Sequence, residues 1–90
     1  MKIHRVKCIG HWFEQCVTGE KPFEVRKNDR DYKTGDLIEL KEFVDRTMTG
    51  RAATFRITSV LFWRDFPAGL RDDYVVLGLA PVTGLYEEGK

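Results

Sequence analysis

Hydrophobic and polar residues alternate along several short stretches of the chain, and each such stretch predicts a β-strand. In residues 2–8, for example, His4, Val6 and Cys8 fall on one side, while Arg5 and Lys7 fall on the other. Four further stretches are expected to be strands: 23–26, 37–43, 53–63 and 74–80. The third of these ends in four apolar residues, 60–63, which indicates a strand that is buried on both faces or bulged.

A different spacing separates the first two strands and predicts one short helix over residues 11–18. Trp12, Phe13, Cys16 and Val17 recur at helical intervals, and Gly19 stands where a helix C-terminal cap is expected. We expect Trp12 and Phe13 to lie in the core.

Turn signals divide the remaining chain. Residues 34–36 indicate a turn, residues 47–51 a loop centred on Gly50, and Pro67 and Gly69 a break before the last strand. Several short strands with one helix predict a single α+β domain over residues 1–90, in which a small β-barrel or curled sheet carries the helix.

Composition narrows the class of protein. The 90 residues are 42% hydrophobic and 12% aromatic, which suits a globular core. The formal net charge is only +1, so any basic site has to be local. The first residues lead into no long apolar run, so we expect a cytoplasmic protein without a membrane span and with Cys8 and Cys16 as free thiols.

The segment from Gly19 to Asp36 is dense in charges of both signs. If residues 23–26 form a strand, Glu24, Arg26 and Asn28 share one face, and Phe23 and Val25 lie behind them in the core. Two interpretations remain open: a solvated face with surface ion pairs, or the wall of a polar pocket. In a pocket, arginine and lysine would hold phosphate, while a carboxylate would accept from a base amino group or act as a general acid or base.

Other candidate sites are weaker. His4, Cys8, His11 and Cys16 are metal-ligating types, but their spacing fits no zinc pattern, so we expect neither a metal nor a cofactor. His4 is either a core histidine with a hydrogen-bond partner or a cleft residue. Trp63 and Phe66 flank Arg64 and would suit base stacking if exposed, although packing is the expected role in so small a domain.

The run Gly19-Glu20-Lys21-Pro22-Phe23-Glu24-Val25-Arg26-Lys27-Asn28-Asp29-Arg30-Asp31, followed by Gly35-Asp36-Leu37-Ile38, resembles a small phage and bacterial domain family of unknown function. That family is grouped with the ASCH (activating signal cointegrator homology) domains of the PUA-like superfamily. The opening His4-Arg5-Val6-Lys7 and the closing Tyr74-Val75-Val76-Leu77-Gly78-Leu79 are also similar, so the resemblance covers nearly the whole chain.

The resemblance implies a PUA-like β-barrel of five to six strands with one or two short helices, a fold associated with RNA and modified bases. Some ASCH relatives are hydrolases. In one group, which deacetylates acetylated cytidine, the motif is Gly-x-Lys-x-x-Thr-x-Arg. Lys21 and Arg26 match this motif, but Glu24 replaces its threonine nucleophile, and only Asp72 and Asp73 lie near its later catalytic glutamate.

We therefore predict a domain that binds RNA or a modified nucleotide. The expected ligand-binding residues are His4, Lys7, Lys21, Glu24, Arg26, Lys27, Asn28, Asp29 and Arg30. The alternative is a small hydrolase (amidohydrolase or ribonuclease-like) acting on modified nucleosides or RNA, with Lys21 and Glu24 as its catalytic residues. A third possibility is a phage-type accessory protein that binds a host protein through the same charged face.

Overall fold

The computed structural model describes residues 1–82, which form five strands, one α-helix and one 3-10 turn. The strands are β1 (Ile3–Ile9), β2 (Phe23–Lys27), β3 (Leu37–Val44), β4 (Thr47–Phe62) and β5 (Tyr74–Pro81). Helix α1 (Gly10–Thr18) joins β1 to β2, and the 3-10 turn (Trp63–Asp65) follows β4. The predicted α+β class and each of the predicted strands are confirmed.

The five strands form one sheet in the order β1-β3-β4-β5-β2. The β1–β3 pair is parallel, and the other three pairs are antiparallel. The first half of the long strand β4 pairs with β3 and its second half pairs with β5, so the sheet curls into a half-barrel. Strands β1 and β2 are the two edges of this half-barrel, and α1 connects them and packs against β1 and β3.

The core lies on the concave side of the sheet and follows the predicted alternation. Val6 and Cys8 of β1 are buried, as are Ile38 and Leu40 of β3. Helix α1 adds Phe13 and Cys16, and β5 contributes every second residue from Val75. Burying each large aliphatic or aromatic side chain contributes about 1.5–3 kcal/mol, which makes this apolar face the main stabilising feature of the fold.

Strand β4 departs from the sequence expectation at both ends. The predicted loop at 47–51 is wrong, because the β3–β4 turn is formed by Asp45 and Arg46, whose φ angles are 50° and 65°. Gly50, with φ of 94°, lies instead in a bulge opposite Glu42, within the strand. A second irregularity falls at Thr58, and the run 60–63 is not buried on both faces, since Leu61 and Trp63 are exposed.

In α1 and around the 3-10 turn, three aromatic side chains that were expected in the core are on the surface. Phe13 is buried as predicted, but Trp12 on the adjacent flank of α1 is exposed. Trp63 and Phe66, near the 3-10 turn, are exposed as well. The helix has only nine residues, and its buried residues are Phe13 and Cys16.

Candidate ligand-binding cleft

A cleft of about 720 Å³ opens where the two edge strands face each other. It is lined by residues 7–9 of β1, by Trp12 and Gln15 of α1, by Glu20 and Lys21 before β2, and by residues 23–26 of β2. A volume of this size is typical of small-molecule sites. Since α1 spans the gap between the edge strands, the cleft is a consequence of the half-barrel topology.

The faces of β2 are the reverse of those expected from hydrophobicity. Glu24 is 4% exposed and points to the buried side, whereas Phe23 and Val25 are 41% and 50% exposed. The strand itself and its alternation were predicted correctly, but the assignment of Phe23 and Val25 to the core is wrong. The charged face of β2 is therefore the floor of the cleft, not a solvated surface.

Two cations on opposite sides hold the buried Glu24 carboxylate. Lys21 Nζ donates to Oε1 at 2.8 Å, and Arg26 Nη1 donates to Oε2 at 3.1 Å. A carboxylate removed from water is tolerated when it is paired and hydrogen-bonded in this way. The three side chains carry a net charge of +1, so the floor of the cleft is cationic.

Lys21 is fixed by the end of helix α1. Gly19 adopts a left-handed conformation with φ of 87°, which ends the helix, and Lys21 N then donates to Gln15 O at 3.0 Å. Besides Glu24, Lys21 Nζ donates to Phe23 O at 2.8 Å and to Cys16 Sγ at 3.7 Å. An ammonium has three donors, so all of them are engaged within the protein.

The same ammonium lies beside two aromatic rings. Its Nζ is 5.0 Å from the centre of the Phe23 ring and 5.6 Å from that of Trp12. Both distances are within the range of cation–π attraction. Lys21 thus places a positive charge between the two exposed rings of the cleft.

Arg26 connects the two edges of the half-barrel. Its Nη1 donates to Lys7 O at 2.9 Å as well as to Glu24, so both hydrogens of that nitrogen are engaged. Within residues 1–82, no second carboxylate pairs with this guanidinium, and the Tyr32 hydroxyl lies beside it. Because Glu24 also pairs with Lys21, the positive charge of Arg26 is only partly balanced within the protein.

Tyr32 is buried near Arg26, and no described residue forms a hydrogen bond with its hydroxyl. Burial raises the pKa of this phenol, and the neighbouring Arg26 guanidinium partly opposes the rise. The hydroxyl is therefore a neutral polar group beside the cation at the floor of the cleft.

The two cysteines are buried free thiols, as expected from the sequence. Burial, together with the nearby Glu24 carboxylate and Cys16, raises the pKa of Cys8 to about 12. Burial also raises the pKa of Cys16, although Lys21 acts in the opposite direction. Both side chains are therefore thiols at neutral pH, and neither has the thiolate character of a nucleophile.

The structure brings only part of the predicted site together. Lys7, Lys21, Glu24 and Arg26 line the cleft, and the Lys7 amine lies 5.0 Å from the centre of the Phe43 ring. The other predicted residues of this segment are exposed and lie outside the cleft lining: Lys27, Asn28, Asp29 and Arg30.

His4 also lies outside the cleft lining and is buried. Its Nε2 is 2.8 Å from Asp36 Oδ2, and its ring contacts that of Tyr32 at a centroid distance of 4.7 Å. Burial alone would raise the pKa of Asp36, but hydrogen bonds from His4 and from the main-chain N–H groups of Lys2 and Lys33 hold it below its ordinary value. This is the core histidine that the sequence analysis considered.

Sequence analysis missed the aromatic part of the cleft. Trp12 was assigned to the core from its helical spacing and Phe23 from strand alternation, yet both line the cleft and are exposed. Across residues 1–82, no group of three or more histidine, cysteine, aspartate and glutamate side chains is arranged to hold a metal ion. In that same part of the chain, no helix is long and apolar enough to cross a membrane.

Comparison with known proteins identifies relatives that share this region. A family model described as a domain of unknown function, DUF3850, matches residues 3–79, which include the whole cleft. The "uncharacterized 12.9 kDa protein in GpA 3′ region" of Escherichia phage P2 is 41% identical over 76 residues, or 84% of this chain. The chain spans 66% of the length of that relative.

Proposed function

The chain belongs to the DUF3850 family of domains of unknown function, and from that premise we propose that its cleft binds an unpaired nucleotide of RNA, or a free modified nucleotide. The observation that carries this proposal is the combination of two exposed aromatic rings with a cationic floor in one cavity of about 720 Å³. Nucleotides combine a flat base with an anionic phosphate, and proteins bind them by stacking on aromatic rings and by ion pairs.

Arg26 is the phosphate ligand in this proposal. Its Nη1 is held by Glu24 and Lys7 O, which fixes the guanidinium, and no second carboxylate pairs with it within residues 1–82. A guanidinium presents adjacent N–H groups that match two oxygens of one phosphate. Lys7, exposed at the rim, adds a second positive charge.

Trp12 and Phe23 supply the stacking surface. Both rings are exposed and lie around the Lys21 ammonium, so a base placed on either ring would also contact a fixed positive charge. Stacking of a base on an aromatic side chain contributes about 1–3 kcal/mol and depends little on the base.

The engagement of Lys21 favours binding over hydrolysis. A general base has to reach and accept a proton of the substrate, but Nζ is already held within the protein, where it donates to both Glu24 and Phe23 O at 2.8 Å. Lys21 in this arrangement is a fixed cation that orders the floor of the cleft. The PUA-like type of half-barrel implied by the ASCH resemblance is part of the same proposal, supported by the curled five-stranded sheet and the one α-helix of residues 1–82.

The proposal is tested by titrating short single-stranded RNA into the Trp63→Phe variant, in which Trp12 is the one remaining tryptophan. We expect quenching of Trp12 fluorescence and an affinity that falls with salt. With about three phosphates engaged, the slope of log K against log salt is expected to be about −2.

Matched variants assign the binding to the cleft. Arg26→Ala should weaken binding about tenfold or more, as for a lost charged hydrogen bond. Arg64→Ala removes a cation that lies over the Phe62 ring, away from the cleft, and should leave binding unchanged. The absence of quenching at low salt, or an equal loss in both variants, would contradict the proposal.

A further inference from the structure

The main chain of β2 presents unused hydrogen-bonding groups to the cleft. On the β5 side, Leu79 N donates to Pro22 O at 3.0 Å, and Asn28 N donates to Asp73 O at 2.8 Å. In an antiparallel pair, hydrogen-bonded and non-hydrogen-bonded residues alternate. Glu24 therefore bonds to β5 through its main chain, whereas the N–H and C=O of Val25 point away from β5 toward the seam, which is the gap between β1 and β2.

The neighbouring carbonyl groups on this edge are already engaged. Lys21 Nζ bonds to Phe23 O at 2.8 Å, and Asp29 N bonds to Lys27 O at 2.9 Å. Across the seam, Arg26 Nη1 bonds to Lys7 O. Among the described residues, Val25 alone on this edge of β2 keeps both its main-chain donor and its main-chain acceptor open, and it lines the cleft.

This pattern fits a small planar group better than an added strand. An extended peptide pairs with a sheet edge through successive open donors and acceptors. The engaged carbonyls of Phe23 and Lys27 interrupt that series on both sides of Val25. What remains is one donor beside one acceptor, the pattern that the hydrogen-bonding edge of a nucleobase complements.

We propose that the N–H and C=O of Val25 bind the Watson–Crick edge of the nucleobase held in the cleft. This inference rests on the proposed function and adds the selectivity of the site: the bound nucleotide is unpaired and unmodified on that edge. In uracil, for example, O4 would accept from Val25 N–H, and N3–H would donate to Val25 C=O. The side chain of Val25 points away from the buried face that carries Glu24 and takes no part in this contact.

Three nucleotides test the inference on the unaltered protein by calorimetric titration. Uridine 5′-monophosphate should bind. Its N3-methyl derivative should have an affinity at least about tenfold lower, because the methyl group replaces the N3–H donor and collides with β2. The 5-methyl derivative has the same added volume on the other edge of the ring and should bind within about twofold of uridine 5′-monophosphate. Equal affinity for all three would overturn the inference.

Two substitutions at one position provide a second test. Val25→Pro removes the outward N–H without removing a hydrogen bond to β5, and proline is tolerated at such edge positions. It should lower affinity for uridine 5′-monophosphate about tenfold, whereas Val25→Ala, which keeps the N–H, should change it less than about twofold.

The outcomes separate this inference from the proposed function. If Arg26→Ala weakens binding while Val25→Pro and Val25→Ala behave alike, the cleft binds nucleotides but does not read the base through Val25. If the unaltered protein binds neither RNA nor any of the three nucleotides, both proposals fail. If Val25→Pro does not fold, the comparison of the three nucleotides on the unaltered protein decides the matter.

Discussion

Glu24 and Arg26 lie two residues apart on β2, and their side chains meet on the buried side of the strand with 3.1 Å between Oε2 and Nη1. The same guanidinium nitrogen reaches the carbonyl of Lys7 on the opposite edge strand. Loss of the Glu24 carboxylate would therefore leave two cations at the floor of the cleft without their anion. It would also affect the hydrogen bond from Arg26 to the carbonyl of Lys7.

We expect Glu24→Gln to lower the free energy of unfolding by about 2–3 kcal/mol, because two partly buried cations lose their shared anion. Urea unfolding followed by circular dichroism measures the effect. Glu39→Gln is the control, since Glu39 pairs with the well-exposed Arg5 and should change stability by less than about 1 kcal/mol. Equal effects of the two substitutions would show that the buried ion pairs do not stabilise the fold.

Substitutions of Lys21 distinguish a binding function of the cleft from a catalytic one. If the site is a binder, Lys21→Ala should weaken RNA binding by about 1–3 kcal/mol, while Lys21→Arg should retain much of the affinity because the charge remains. Titration of the same RNA measures both. If the unaltered protein instead turns over an acetylated cytidine and both variants abolish the turnover, Lys21 is a base and the binding role is wrong, since arginine cannot act as a base.

Asp36 gives the protein a defined sensitivity to acid. Burial alone would raise the pKa of Asp36, but hydrogen bonds from His4, Lys2 N and Lys33 N outweigh it and depress that pKa in the folded state. Its stabilising contribution is therefore fully present above the unfolded-state pKa near 3.8 and is lost as the pH falls through the lower folded-state value.

The test compares urea unfolding from about pH 6 to about pH 2.5 in the unaltered protein and in Asp36→Asn. The unaltered protein should lose more stability over the acid part of this range than the variant does. Asp45→Asn, an exposed change in the β3–β4 turn, should follow the unaltered protein. Parallel curves for the unaltered protein and Asp36→Asn would contradict the assignment.

The cysteines should be inert in the folded protein. With the pKa of Cys8 raised to about 12, only about one molecule in ten thousand carries the Cys8 thiolate at pH 8. Iodoacetamide should therefore label Cys8 and Cys16 slowly in buffer and rapidly in urea, as followed by mass spectrometry. Similar rates in the two conditions would show that the floor of the cleft opens readily.

The sequence predicted β2 but not which face of it is buried. Alternation at Phe23, Glu24, Val25 and Arg26 defines two faces, and hydrophobicity favours burial of the apolar one. In the structure the charged face is the buried one, because Glu24 pairs with two cations: Lys21 from the loop before the strand and Arg26 two residues later. A buried face built from ion pairs depends on side chains that meet only in three dimensions, so hydrophobicity along one strand does not reveal it.

The β3–β4 turn illustrates a second limit. Turns of two residues with positive φ favour asparagine and glycine, but here Asp45 and Arg46 form the turn, while Gly50 serves a bulge within β4. The prediction placed the loop around Gly50, whereas the turn lies four to five residues earlier. Tertiary pairing overrides the local preference, since Thr49 and Arg51 beside the bulge both contact the largely buried Glu42.

The position of β2 at the far edge of the sheet has a consequence for how the chain folds. Although β2 follows β1 closely in sequence, it pairs with β5, with Phe23 opposite Gly78 and Lys27 opposite Tyr74, roughly 50 residues away. Closing so long a loop costs more entropy than closing a hairpin, so we expect these contacts to form after the hairpin of β3 and β4 has provided a sheet on which β5 can add. During synthesis on the ribosome, the cleft can therefore assemble only after β5 has emerged.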